Sequence, residues 1–181
     1  MTKKELQSLA KSLKALEKKT GISRPKNPDE LHKWILDQTG VFVPRVKVCD
    51  DHCAPFDFIS DVFFEKVTSV VVVGNRGGAK TFNVALLHVA LAKFKAGIEL
   101  CTIGAIEAQA KRAYDHVKTI ISKIQNKNDG KSEVKSGTIS KTVWSNNSQL
   151  EVLAGTMNAT NGPHPQVVHF DEVELADQQV F

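Results

Sequence analysis

A glycine-rich turn between two apolar stretches of different character most constrains the fold of this chain. Residues 67–73, before the turn, are almost entirely β-branched, and such residues favour strands. Residues 81–94, after it, are apolar on nearly every side, as in a helix packed inside a fold. A buried strand, a turn and a buried helix in this order predict an α/β protein with a parallel sheet.

The turn has the residue types of a phosphate-binding loop. It matches the pattern G-x-x-x-x-G-K-[ST] apart from one alanine, through Gly74, Asn75, Arg76, Gly77, Gly78, Ala79, Lys80 and Thr81. Glycines let successive N–H groups face one phosphate, and the following helix adds the positive end of its dipole. The whole loop is therefore predicted to bind ATP, with Lys80 on the β- and γ-phosphates and Thr81 on Mg²⁺.

Ala79 stands where this pattern usually has glycine. If the position requires a positive φ, the Cβ costs about 1 kcal/mol and weakens nucleotide binding. If φ is negative, the alanine is harmless. Both alternatives are open at the level of sequence.

An acidic pair follows a second apolar run. Residues 166–170 predict a strand, and Asp171 and Glu172 come directly after it. In open α/β sheets, ligands bind beyond the carboxyl ends of the strands, where the glycine-rich turn also emerges. Asp171 is predicted to hold Mg²⁺ and Glu172 to orient or deprotonate an attacking water. A solvated Asp-Glu pair is the alternative, and His169 is interpreted as a hydrogen-bonded core or sheet residue rather than a ligand.

The other elements are predicted from periodicity and capping. Leucines at 6, 9, 13 and 16 predict a helix over residues 2–20, which packs on its own domain or docks to a partner subunit. Asn27 and Pro28 predict a helix start, Gly40 its end, and the buried face is Leu31, Trp34 and Ile35. A strand at 98–103, a helix at 106–124 and a hairpin over 142–153 complete the pattern.

Composition excludes several classes of protein. The chain of 181 residues is 41% hydrophobic and 24% charged, unlike a disordered chain. It has no apolar run of about 20 residues, the length that spans a membrane. Three cysteines suit a reducing compartment, so a cytoplasmic location is predicted. The net charge of +4 is compatible with a polyanion partner but is weak support for one.

The two motifs, with a helix, a strand, a helix and a hairpin between them, resemble the Walker A and Walker B motifs of P-loop ATPases of the additional-strand branch. Residues 44–175 resemble in order the N-terminal ATPase region of tailed-phage large terminases, the motors that package DNA. The similar features are the lead-in segment 49–59, Arg76 in the loop, Gln109 and Arg112 in the next helix, the polar turn 145–148 and the loop 162–165.

This resemblance implies a helical N-terminal arm and linker at 1–43 and a P-loop ATPase domain at 44–181, with a mostly parallel sheet flanked by helices. It implies ATP hydrolysis that drives double-stranded DNA into a procapsid, with Glu172, Lys80 and Arg76 catalytic and Arg76 stabilising charge. Partners would be the portal protein, the small terminase subunit and further copies of the chain on the capsid. Because the chain ends at Phe181, we expect a domain incomplete at its C-terminus and without nuclease activity.

Two other functions are compatible with these residues. One is a fragment of a P-loop DNA helicase or translocase. The other is a nucleotide-binding assembly module without turnover, which Ala79 favours.

Three weaker signals have a structural and a functional interpretation. For Cys49, His52 and Cys53, buried thiols and a capping histidine are preferred to a zinc site. Phe56 and Phe58 are expected in the core rather than beside adenine. Basic residues at 111, 112, 118, 123, 127 and 131 either face DNA or form a solvated helix surface.

Overall fold

The computed structural model describes residues 23–104, 107–130, 132–154 and 165–172. The helix predicted at 2–20 and the loop at 162–165 fall wholly or largely outside these ranges. The described residues form an α/β protein with the elements α1 (Pro28–Thr39), α2 (Pro55–Phe63), α3 (Lys80–Phe94), β1 (Glu99–Gly104), α4 (Glu107–Lys127), β2 (Val134–Gly137), β3 (Lys141–Trp144), β4 (Gln149–Ala154) and β5 (Val167–Asp171). None of these helices is both long enough and apolar enough to cross a membrane.

The sheet has five strands in the order β2-β3-β4-β1-β5. Strand β1 runs parallel to both β4 and β5, whereas β3 is antiparallel to β2 and to β4. The sheet is therefore mixed, and the prediction of a mostly parallel sheet was wrong. The cause is the short turn between β3 and β4, closed by the Trp144 N–H on the Ser148 carbonyl at 2.9 Å, because a tight turn can join only antiparallel strands.

The run at 67–73 is not the buried strand that its composition predicts. These residues lie outside every helix and strand, and Val71 and Val73 are 84% and 92% exposed. The prediction was wrong because β-branched side chains fit a pleated surface only when a partner strand supplies one. In the described part of the chain, β5 pairs with β1 alone, so the other edge of β5 and the valine run are both left without a neighbour.

Helices α1 and α3 confirm two predictions: the capping residues and buried face of α1, and the burial of α3 on all sides. In α1, Asn27 Oδ1 accepts a hydrogen bond from the Glu30 N–H at 2.9 Å, and Gly40 ends the helix at φ 69°. Leu31, Trp34 and Ile35 are its buried face, as expected. Helix α3 is buried on all sides from residue 83 to residue 92, which agrees with its lack of a polar face.

Helix α2 and strand β2 are additions to the predicted pattern. Pro55 begins α2, and Asp57 Oδ2 accepts a hydrogen bond from the Ala54 N–H at 2.8 Å. Phe56, Ile59 and Phe63 form its buried face, a helical spacing that was available in the sequence. Strand β2 has mostly exposed residues, so it carries no alternating pattern to recognise.

The N-terminal helices share their core with the sheet-bound helices. Trp34 and Phe94 meet edge to face with ring centroids 5.0 Å apart, and Phe63 meets Phe94 at 6.0 Å. The same cluster of buried residues extends from Leu31 to Val152. Helix α3 is packed into this cluster along residues 83–92. Close packing there fixes the position of its first turn, which contains Lys80 and Thr81.

Candidate functional site

The glycine-rich loop and the acidic pair meet at one edge of the sheet. Thr81 Oγ1 lies 3.4 Å and 3.3 Å from the two carboxylate oxygens of Asp171, although 90 residues separate them in the chain. Thr81 is in the first turn of α3, and Asp171 is the last residue of β5. A hydroxyl and a carboxylate therefore converge at the carboxyl end of the parallel strands.

Lys80 turns back onto the loop that precedes it. Its Nζ donates hydrogen bonds to the Gly74 carbonyl at 2.6 Å and to the Asn75 carbonyl at 3.1 Å. The ammonium group thus lies at the mouth of the loop, beside the first residues of the 74–81 segment. A cation in this position attracts anionic ligands.

Two glycines of the loop are required by its geometry. Gly77 has φ +82°, and a Cβ on Gly78 would lie 2.6 Å from Asn75 Oδ1. The Gly78 N–H donates to the Asn75 carbonyl at 3.1 Å, which closes the tight turn. The backbone is therefore exposed and free of side chains at the place where the sequence predicts phosphate binding.

Ala79 occupies the conformation that its Cβ disfavours. It is the N-cap of α3 and has φ 55° and ψ 24°, in the left-handed region. Of the two sequence alternatives, the structure has the strained one, at a cost of about 1 kcal/mol. The consequence for nucleotide binding stays a prediction.

The remaining candidates lie around this meeting point. Arg76 is exposed and forms no ion pair with the part of the chain that is described. Glu172 follows Asp171 directly, is exposed, and has a left-handed φ of 54°.

The donors at this edge fit a magnesium triphosphate. Thr81 and Asp171 offer oxygen ligands, which Mg²⁺ prefers. The first-turn amides of α3 have no carbonyl partner within the helix, and its N-cap has no side chain that could accept from them. With the bare glycine backbone and the Lys80 ammonium, these groups can bind several phosphate oxygens at once.

A buried polar cluster lies behind Thr81 and Asp171. His169 and Thr102 are register partners on β5 and β1, and His88 of α3 packs against both. Its Nδ1 is 3.5 Å from Thr102 Oγ1, and its ring centroid is 5.7 Å from that of His169. His88 lies seven residues after Thr81, which places both on the same side of α3.

Both imidazoles of this cluster favour the neutral form. Burial, with the nearby His169 adding to it, lowers the pKa of His88 to about 3. Burial also lowers the pKa of His169, while the charge of Asp171 opposes that shift. His169 Nδ1 is buried without a hydrogen-bond partner in the described structure. The predicted placement of His169 in the core or the sheet is confirmed by its position within β5, but the predicted hydrogen bonding is wrong for this nitrogen.

The weaker sequence signals have separate outcomes. Cys49 and Cys53 are exposed, so the prediction of buried thiols was wrong. The loop before α2 contains too few apolar residues to cover them. Cys49 Sγ lies 2.8 Å from His52 Nδ1, and no group of three or more metal-binding side chains occurs among the described residues. Phe56 is buried and Phe58 packs against the core, as expected.

Known proteins contribute no family assignment to this chain. No protein-family model matches the sequence, and no match is found among curated proteins. Function is therefore inferred from the residues and their geometry.

Proposed function

We propose that this chain is the ATP-binding and ATP-hydrolysing domain of a DNA-packaging motor similar to the large terminases of tailed phages. The observation that carries the proposal is the contact of Thr81 Oγ1 with the Asp171 carboxylate at 3.3 Å. It joins the glycine-rich loop to the acidic strand end, the two parts that a P-loop ATPase needs in one place.

Each residue of the meeting point has a role in this proposal. The loop residues Gly74 to Thr81 bind the triphosphate through their N–H groups, and Lys80 leaves its carbonyl partners to contact the β- and γ-phosphates. Thr81 and Asp171 hold Mg²⁺, which neutralises charge on the phosphate oxygens when it is bound.

Glu172 and Arg76 act on the reaction itself. Glu172 accepts a proton from the attacking water or orients it, since it directly follows the Mg²⁺ ligand Asp171 in the chain. Arg76 supplies positive charge as the γ-phosphate leaves, in its own site or in that of a neighbouring copy. Its exposed position in the loop allows either arrangement.

The fold proposed for this function is the additional-strand P-loop core. In that fold, the strand that carries the acidic pair lies parallel to a neighbouring strand, as β5 lies parallel to β1. The parallel strands β4, β1 and β5, and the helix α3 that directly follows the glycine-rich loop, support this fold.

The proposal extends to partners and location by resemblance. Double-stranded DNA is the translocated substrate, the portal protein and the small terminase subunit are the binding partners, and several copies assemble on the procapsid in the host cytoplasm.

The test measures nucleotide binding and hydrolysis by wild type, Lys80→Ala and Glu172→Gln, with Lys66→Ala as a control for loss of a surface cation. We expect Lys80→Ala to lose Mg-ATP binding, because the loop loses its only ammonium. Glu172→Gln should bind ATP normally and lose hydrolysis by a factor on the order of 10² or more. Equal background rates in all four proteins would exclude the enzyme.

One observation favours a second function, a nucleotide-binding assembly module without turnover. Ala79, the N-cap of α3, has a left-handed φ of 55°. The loop backbone is therefore strained at a position where glycine would not be. A wild-type chain that binds Mg-ATP, needs Lys80 for binding and shows no hydrolysis would establish this alternative.

A further inference from the structure

We propose that the solvent-facing side of α4 is a docking surface for the phosphodiester backbone of double-stranded DNA. Its cations are Arg112, Lys123 and Lys127, which we name the α4 basic stripe. The inference rests on the proposed function for the choice of partner, and it adds the surface that contacts that partner.

The three cations of the stripe lie on one side of the helix. At 3.6 residues per turn, positions 112, 123 and 127 fall within a sector of about 60°, and all three residues are exposed. Asp115 is the only acidic residue between 111 and 127, and it pairs with Lys118 at 3.3 Å on the other flank of the exposed face. Within that sector of about 60°, the charged residues of α4 between 111 and 127 are therefore all cations.

Seven cations elsewhere in the described residues pair with carboxylates. Ion pairs join Lys33 to Asp37, Arg45 to Asp29, Lys66 to Asp61, Lys93 to Glu133, Lys95 to Glu65, Lys118 to Asp115 and Lys141 to Glu151. Arg112, Lys123 and Lys127 form no ion pair within the described residues. An uncompensated group of like charges is destabilising unless a partner of opposite charge binds it.

Asp37 of α1 lies close enough to Lys127 for the two charges to interact. The pKa of Asp37 is lowered by the hydrogen bond from Lys33 and by the charge of Lys33, and the charge of Lys127 adds to this. Asp37 is already paired with Lys33 at 2.7 Å. Lys127 is therefore available to a ligand on the outer side of the helix.

The chemistry around the cations favours a nucleic-acid backbone over an acidic protein. The exposed Thr119 lies beside this sector on the helix, and its hydroxyl can donate to a phosphate oxygen. A protein interface would need an apolar centre, and the exposed positions of the stripe have none. At 1.5 Å per residue the stripe is about 22 Å long, which matches an extended polyanion.

Helix α4 also contacts the nucleotide edge. His116, in the same sector, meets Phe82 edge to face with ring centroids 5.4 Å apart, and Phe82 follows Thr81 in the first turn of α3. A phosphodiester bound along α4 and a triphosphate bound at α3 would thus act on two helices in direct contact.

The experiment measures binding of a fluorescent DNA duplex at several salt concentrations. The test variant is Arg112→Gln/Lys123→Gln/Lys127→Gln. The control, Lys33→Gln/Lys66→Gln/Lys118→Gln, removes the same number of charges from paired surface cations. We expect the slope of log K against log salt to fall by about 2.7 in the test variant, from about 0.9 per phosphate contact. The control should keep the wild-type slope.

Other outcomes overturn the inference. They are a wild type that binds no duplex, equal losses in both triple variants, or stripe-dependent binding of poly-glutamate in preference to DNA. Binding of a fluorescent ATP analogue with Mg²⁺ is measured in parallel. Nucleotide binding without stripe-dependent DNA binding overturns only the stripe, whereas the reverse result overturns only the ATPase proposal.

Discussion

Ala79 is the residue at which the loop sequence and the loop conformation disagree. A φ of 55° suits glycine, yet the chain has an alanine there. Between residues 74 and 81, the only other position with a positive φ is a glycine, Gly77. The strain is local, because it lies in one Cβ and its own backbone, and it is therefore open to a single substitution.

We predict that Ala79→Gly raises the free energy of unfolding by about 0.5–1 kcal/mol, because it removes the left-handed strain. Urea denaturation of the two proteins measures the change. The matched control is Ala85→Gly within buried α3, which should lower stability by about 1 kcal/mol. A loss of similar size in both variants would show that position 79 is not strained.

At the scale of elements, a buried polar cluster seats α3 on the sheet. His88 is 2% exposed and Thr102 1% exposed, so the contact between α3 and β1 is polar within an otherwise apolar interface. Neutral histidine is compatible with such burial, whereas imidazolium is not. The pKa of His88, lowered to about 3, makes this interface sensitive to acid.

We predict that wild type loses about 2 kcal/mol of stability between pH 7.5 and pH 5 through His88. The unfolded chain binds a proton below its ordinary pKa of 6.5, while the folded chain does not do so until about pH 3, so stability falls as pH falls through this window. Chemical denaturation at both pH values measures the loss. His88→Gln should lack it, and His52→Gln, at an exposed histidine, should retain it. The same loss in His88→Gln as in wild type would contradict the prediction.

A helix or strand could be predicted from the sequence when its signal lies within a few residues of the element itself. Asn27, Pro28 and Gly40 define α1 through contacts within the helix itself, so its bounds could be predicted. The run at 67–73 has an equally strong preference, but its outcome depends on a partner strand distant in the chain. Helix α2 has a helical signal at Phe56, Ile59 and Phe63, although its segment also resembles the irregular lead-in to an ATPase core.

At the scale of the whole molecule, the described N-terminal residues share one core with the sheet. Leu31, Trp34, Ile35 and Val43 are members of the same buried cluster as Leu150 and Val152. Trp34, before the predicted boundary at residue 43, meets Phe94, after it, with ring centroids 5.0 Å apart. A shared core favours unfolding of the described residues as one unit.

We predict that the described residues before and after position 43 unfold in a single transition. The chain has two tryptophans, Trp34 in α1 and Trp144 in β3, so Trp144→Phe and Trp34→Phe each leave one reporter. In each variant, the fluorescence transition in urea should match the transition seen by far-ultraviolet circular dichroism. An earlier fluorescence transition in Trp144→Phe alone would mean that residues before 44 unfold separately, as an arm.

The sequence by itself determined the helices with local caps and apolar faces, the strands β1 and β5, and the residue types at both ends of the candidate site. These follow from hydrogen bonds and side-chain periodicity within a few residues of each other. Only the tertiary structure decided the mixed sheet, the exposure of 67–73, the left-handed Ala79, the His88–His169 contact and the distance from Thr81 to Asp171. Each depends on which distant segment supplies a neighbour, and no local pattern encodes that choice.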